Sequence, residues 1–151
     1  MLEELARSKK GLSKSMGAAR FDSAAAAAPG SQVILVDTSV WVDHLQGGDL
    51  ALARLLDGWR VLGHRFVTGE LALGNLRERD LVLSAVRELP QATVASDDEV
   101  LYFIARQALF GLGIGYVDAH LLAAVELTVD AKLWTRDRRL QTVVARLGLS
   151  A

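Results

Sequence analysis

Four acidic residues stand where apolar segments end or where apolar helices begin. Asp37 follows Val33-Ile34-Leu35-Val36, and Asp137 follows Leu133-Trp134-Thr135-Arg136. Glu70 lies within Val67-Thr68-Gly69-Glu70-Leu71-Ala72-Leu73, and Asp118 within Gly115-Tyr116-Val117-Asp118-Ala119-His120-Leu121-Leu122. An ionised carboxylate in apolar surroundings is costly without a partner. Four could share one pocket only if a cation compensates them. Hard oxygen donors in a chain without cysteine favour Mg2+ or Mn2+. Such ions polarise a phosphate oxygen, acidify a bound water and steady a leaving oxygen, which is what phosphodiester hydrolysis needs. In this reading Asp37 and Asp118 are the chief metal ligands. Glu70 ligates directly or through water, and Asp137 holds a second metal or an outer water. Thr38 or Ser39 would orient Asp37 by hydrogen bonding, and Thr135 would do likewise near Asp137.

Each acid also has an ordinary explanation. Asp37 before a helix can be a simple N-cap. Glu70 alone reads as a solvated helical residue. Asp137, beside Arg136, Arg138 and Arg139, can be a surface ion pair of little energetic weight. Asp118 is harder to dismiss, because Leu121, Leu122 and Val125 surround it with apolar faces. The ordered recurrence of the acids is the stronger signal.

The elements that must position them follow from periodicity. Val33–Val36 is a continuous β-branched and apolar run, the mark of a strand buried on both faces of a parallel sheet. Asp37-Thr38-Ser39 then opens a helix through Trp41 to Leu45, which Gly47-Gly48 breaks. Leu50, Leu52, Leu55 and Leu56 predict another helix, and residues 66–76 a third, carrying Glu70. Leu81, Leu83 and Val86 continue a helical pattern that Pro90 closes. Ala92-Thr93-Val94-Ala95 reads as a second strand. Ser96 and Glu99 form a capping box at the start of the next helix. A glycine-rich loop over 111–115 precedes a strongly apolar helix from Tyr116 to Leu127. Residues 131–135 predict a third strand, and Leu140 to Leu147 the last helix. Alternating strands and helices imply an α/β sandwich with a mainly parallel sheet, whose strand carboxyl ends are the usual place for a ligand.

Length and charge bound the function. The 151 residues suit one domain with a real core, and 51% are hydrophobic. The chain has no cysteine, no apolar run of membrane-spanning length and no signal-peptide layout, so a soluble, cytoplasmic protein is expected. Residues 1–32 carry five basic and three acidic groups, and the remainder twelve basic and fifteen acidic. A passive nucleic-acid binder usually wears a strong positive face. If this chain meets nucleic acid, metal ions must supply part of the positive charge.

These segments resemble a known family. Val33-Ile-Leu-Val-Asp-Thr-Ser-Val-Trp-Val-Asp-His-Leu45 is similar to the opening motif of PIN domains, most of all the VapC-like toxins of bacterial toxin–antitoxin pairs. His64–Leu76, Gly113–Ala123 and Leu133–Leu140 resemble the second, third and fourth acidic motifs, in order over 33–151. One departure is Arg65, where the nearest pattern has proline. The resemblance implies a PIN-like three-layer α/β sandwich, Mg2+- or Mn2+-dependent endoribonuclease activity on RNA, a homodimer, and an antitoxin that blocks the active site. Carried over motif by motif, its acidic set is Asp37, Glu70, Asp118 and Asp137.

Residues 1–32 fall outside the resemblance. Leu2, Leu5 and Ala6 mark a short amphipathic segment, and residues 23–32 read as an Ala-rich linker. The stretch is a tag remnant, a natural extension or an antitoxin-derived peptide. In the last case Arg20 would meet the carboxylates and Phe21 would anchor in a groove. His44, His64 and His120 lack metal-ligand spacing and are expected at the surface or behind the site, with His120 on a different helix face from Asp118. Trp41 and Trp134 read as core or interface residues. The glycine loop does not follow a strand as a phosphate loop would. Arg136, Arg138 and Arg139 read as a solvated helix start that could also meet RNA phosphate. Two other functions compete. A catalytically silent binding module would need no metal. An Asp-nucleophile phosphatase would use Asp37, but Ser39 stands where its second acid belongs.

Overall fold

The computed structural model describes residues 30–151. The first amphipathic segment, most of the linker, Arg20 and Phe21 lie outside the described residues. Three parallel strands form the sheet: β1 (Val33–Val36), β2 (Val61–Leu62) and β3 (Ala131–Trp134), in the order β2-β1-β3. Ile34 pairs with Val61 and Lys132, and Leu35 with Leu62 and Leu133. Successive strand side chains point to opposite faces. Ile34, Leu35 and Val36 are all buried, so β1 is covered on both faces. This is the sandwich expected from its unbroken apolar run.

Seven helices surround the sheet among the described residues: α1 (Thr38–Gly47), α2 (Leu50–Asp57), α3 (Arg65–Leu73), α4 (Arg79–Glu88), α5 (Asp97–Arg106), α6 (Tyr116–Leu127) and α7 (Arg138–Arg146). Local chemistry sets their ends. Gly48, at φ 76°, closes α1 through its N–H to the His44 carbonyl. Asp49 caps α2 by accepting from the Leu52 N–H. Ser96 and Glu99 make the reciprocal capping box of α5. Helix α6 is apolar nearly all round, with residues 119–125 wholly buried, as a helix through the middle of a core must be.

The second strand lies elsewhere than expected. It is Val61–Leu62, and Ala92–Ala95 is not a strand. The sheet edge continues there only as a parallel bridge between Gly63 and Gln91. The Gly63 N–H donates to the Pro90 carbonyl and the Ala92 N–H to the Gly63 carbonyl, and the ladder stops. The Thr93 N–H donates to the Thr128 hydroxyl at 3.0 Å and not to a strand, Val94 is 42% exposed, and the Ser96 cap at once turns the chain into α5. A two-residue strand between Arg60 and Gly63 is too short for its own periodicity to show.

Candidate active site

The carboxyl end of β1 delivers Asp37. The ladder runs one residue past the strand, with the Asp37 N–H donating to the Trp134 carbonyl at 2.9 Å. Asp37 occupies the N-cap of α1 by its backbone alone, since its side chain makes no capping bond. Its Oδ2 instead accepts from Ser39 Oγ at 2.7 Å and from Thr135 Oγ1 at 2.8 Å. The residue is only 6% exposed. The cap explanation therefore fails for this carboxylate, which accepts from no backbone N–H of the helix and is held by two hydroxyls, one from α1 and one from the end of β3.

The other acids arrive on helix starts and one helix body. Glu70 projects from α3, and its Oε2 accepts from Thr38 Oγ1. Asp118 is the third residue of α6, and its Oδ2 accepts from the Gly115 N–H at 2.9 Å. Asp137 caps α7, its Oδ1 accepting from the Leu140 N–H at 2.9 Å. The ion pair with its arginine neighbours does not form. The two hydroxyls after Asp37 divide their work: Ser39 orients Asp37, while Thr38 holds Glu70. Thr135 serves both strand ends, donating to Asp37 and accepting from the Asp137 N–H at 3.1 Å.

A common pattern results. Each of the four carboxylates has one oxygen engaged by a donor of the chain. The second oxygen of each receives no hydrogen bond among the described residues. The four also share one electrostatic neighbourhood. Burial pushes the Asp118 carboxyl above the usual aspartate range, and the charges of Asp37, Asp137 and Glu70 push it further, against the Gly115 N–H. Like charges with no cation between them repel. Among the described residues no group of three or more His, Asp or Glu side chains closes on a single ion position. Asp37, Glu70 and Asp137 lie within electrostatic reach of Asp118, and the spare oxygens of this acidic ring are hard donors of the kind that suits Mg2+ or Mn2+.

The histidines are all buried, contrary to a surface role. His64 is fully buried at the head of α3, where its Nδ1 accepts from the Phe66 N–H at 3.1 Å. Burial first, then the charges of His120 and Arg65, pull its pKa down to about 4. His44 accepts at Nδ1 from the Asp49 N–H. His120 packs edge-on against Phe66 and Tyr116, with ring centroids 4.5 and 4.7 Å apart. These rings join α3, which carries Glu70, to α6, which carries Asp118. Arg136 is not simply solvated: its guanidinium pairs with both Asp43 and Asp49. Arg139 lies against the glycine loop, with Nη1 3.4 Å from the Gly113 carbonyl. Asp43 and Asp49 went unnoticed in the sequence. Asp49 carried a usable signal, an acid after Gly47-Gly48 and before an apolar helix.

The comparisons with known proteins bear on the same residues. The family model described as PIN domain matches residues 34–146. The chain belongs to the PIN-domain family. All four acids of this PIN domain fall within the matched span. Its relatives include the protein named Ribonuclease VapC32 in two strains of Mycobacterium tuberculosis, CDC 1551 / Oshkosh and ATCC 25618 / H37Rv. Each is 46% identical over 118 residues, covering 78% of this chain and 95% of the relative. Among the described residues of the PIN domain, no helix is long and apolar enough to cross a membrane.

Proposed function

We propose that this chain is a divalent-metal-dependent endoribonuclease acting as the toxin of a toxin–antitoxin pair. The spare oxygen on each of the four carboxylates carries this reading. Asp37 is buried and Asp118 half-buried, while Glu70 and Asp137 are exposed; like charges gathered near the covered pair weaken the fold unless a cation compensates them. The ribonuclease name of the relatives supports RNA as substrate, and their near-complete coverage supports the same kind of working unit.

In this reading residues 33–151 are the nuclease unit. Asp37, Asp118 and Glu70 would hold Mg2+ or Mn2+, with Asp137 serving a second ion or an outer water. The ion would polarise the scissile phosphate and acidify a water. The chain's own residues prepare the place for it. Ser39 and Thr135 point Asp37, Thr38 points Glu70, and the Gly115 and Leu140 N–H groups fix Asp118 and Asp137. Ser39 donates to Asp37 where a phosphatase would place its second acid, which weighs against that alternative. We further place the enzyme in the cytoplasm, as a homodimer whose cognate antitoxin protein occupies the acidic ring.

The test is cleavage of a mixed structured-RNA pool in Mg2+ or Mn2+, with Asp37→Asn and Asp118→Asn beside the parent. Outer partners of metal ligands are worth about 10- to 100-fold, so loss of a ligand should cost about 100-fold or more. Cleavage that persists in a chelator, or in both variants, would sink the reading. No Mn2+ binding and no cleavage by the parent would make this a silent binding module.

A further inference from the structure

We infer that Arg136 is a positioning residue of the acidic ring: its pairing with Asp43 and Asp49 locks the loop whose two backbone N–H groups aim the hydroxyls of Ser39 and Thr135 at Asp37. The inference rests on the proposed role of Asp37 as a metal ligand.

Arg136 lies between β3 and α7. Its Nη1 pairs with Asp43 on α1, and its Nη2 with Asp49, the cap of α2. One guanidinium thus ties three segments together. It also stands 5.9 Å from the Trp134 ring centroid, over the last residue of β3. From the same loop, the Arg136 N–H donates to Ser39 Oγ at 3.0 Å and the Asp137 N–H to Thr135 Oγ1 at 3.1 Å. A hydroxyl has one proton to give. With one lone pair of each taken by these N–H groups, and the two hydroxyl oxygens 3.4 Å apart, each hydroxyl turns that proton to Asp37 Oδ2 at the shorter distance of 2.7 or 2.8 Å. The other Asp37 oxygen is thereby left as the one available for a cation.

Exposed ion pairs add little to stability. The Arg136 side chain is 38% exposed and Asp43 49%, whereas Asp49 is only 14% exposed. The value of the clamp lies in geometry. Misplacement of a reacting group by about 1 Å can cost on the order of 10²-fold in rate. A guanidinium spent on two carboxylates is also a poor phosphate ligand, which separates this role from direct RNA contact. The two roles predict opposite signs for removal of its partners.

The experiment uses the full chain and three variants: Arg136→Gln, Arg136→Lys, and Asp43→Asn with Asp49→Asn. Asparagine at 49 retains an oxygen for the Leu52 N–H. Amide hydrogen exchange reads the loop directly, without metal. Exchange at residues 136 and 137 should rise in Arg136→Gln and in the double variant. Calorimetric Mn2+ binding should weaken by about 10-fold or more in both. Lysine, which can meet one partner, should recover part of the loss. KM for RNA should stay put while kcat falls. Unchanged exchange and unchanged Mn2+ affinity in Arg136→Gln would overturn the inference. So would tighter RNA binding in the double variant, which would make Arg136 a phosphate contact. If exchange rises but the parent itself binds no Mn2+, the clamp stands and the nuclease reading falls.

Discussion

Asp118 shows what the ring costs the fold. Burial and then three neighbouring carboxylates raise its pKa above the ordinary 3.8, so folding favours the neutral acid. The stabilising contribution is full below the unfolded value and is lost as pH rises through the raised folded value. At neutral pH the ionised group therefore weakens the native state. Asp118→Asn keeps an oxygen for the Gly115 N–H and removes the charge. It should melt at higher temperature than the parent at pH 7, and that advantage should shrink as pH falls through the raised folded value and be gone below about 4. Mg2+ should raise the melting temperature of the parent and leave the variant nearly unmoved. Thermal melts across pH, with and without Mg2+, check this. A variant less stable than the parent at pH 7 would contradict the electrostatic account.

Helix α3 depends on one neutral histidine. His64 must keep a lone pair at Nδ1 for the Phe66 N–H, and its pKa of about 4 keeps the ring uncharged well below the usual 6.5. A depressed histidine pKa gives stability that is present above the unfolded value and lost as pH falls through the folded one. The window is pH 6.5 down to about 4, and the loss on the order of 3 kcal/mol. His64→Asn retains a capping oxygen without the titration. Urea denaturation should show the parent losing stability through that window faster than the variant, and a pH-independent difference would refute the assignment. At this scale much was legible beforehand. The Ser96 and Glu99 box and the apolar helix from Tyr116 to Leu127 stand where local chemistry put them, because caps and periodicity are local properties. Strand β2 was not legible, because two residues carry no period. Ala92–Ala95 misled because strand-forming residue types do not guarantee a neighbour to pair with.

At the scale of the molecule, net charge separates metal-assisted from passive RNA binding. The chain carries −1 overall, and four of its 18 acidic residues make the proposed site. A protein that neutralises six to ten phosphates with its own cations loses about 10³- to 10⁵-fold in affinity between about 50 and 200 mM salt. Here kcat/KM at fixed Mg2+ should fall by less than about 10-fold over that range. A chelator should drop it to background. A steep salt dependence would instead mean that the arginines carry the binding.

The sequence by itself set the first and third strands, the helices, the buried character of β1 and α6, and the four acids as candidates, because apolar runs, caps and an acid in apolar company are visible within a few residues. It did not reveal which hydroxyl serves which acid. Thr135 and Asp37 lie 98 residues apart and Arg136 and Asp43 lie 93 apart. Only the pairing of β3 beside β1 brings them together. The same pairing decided that Asp37 accepts from Thr135 as well as from Ser39 of its own helix, and that Arg136 is spent on two carboxylates, because a side chain's partner depends on which strand end lies next to it in space.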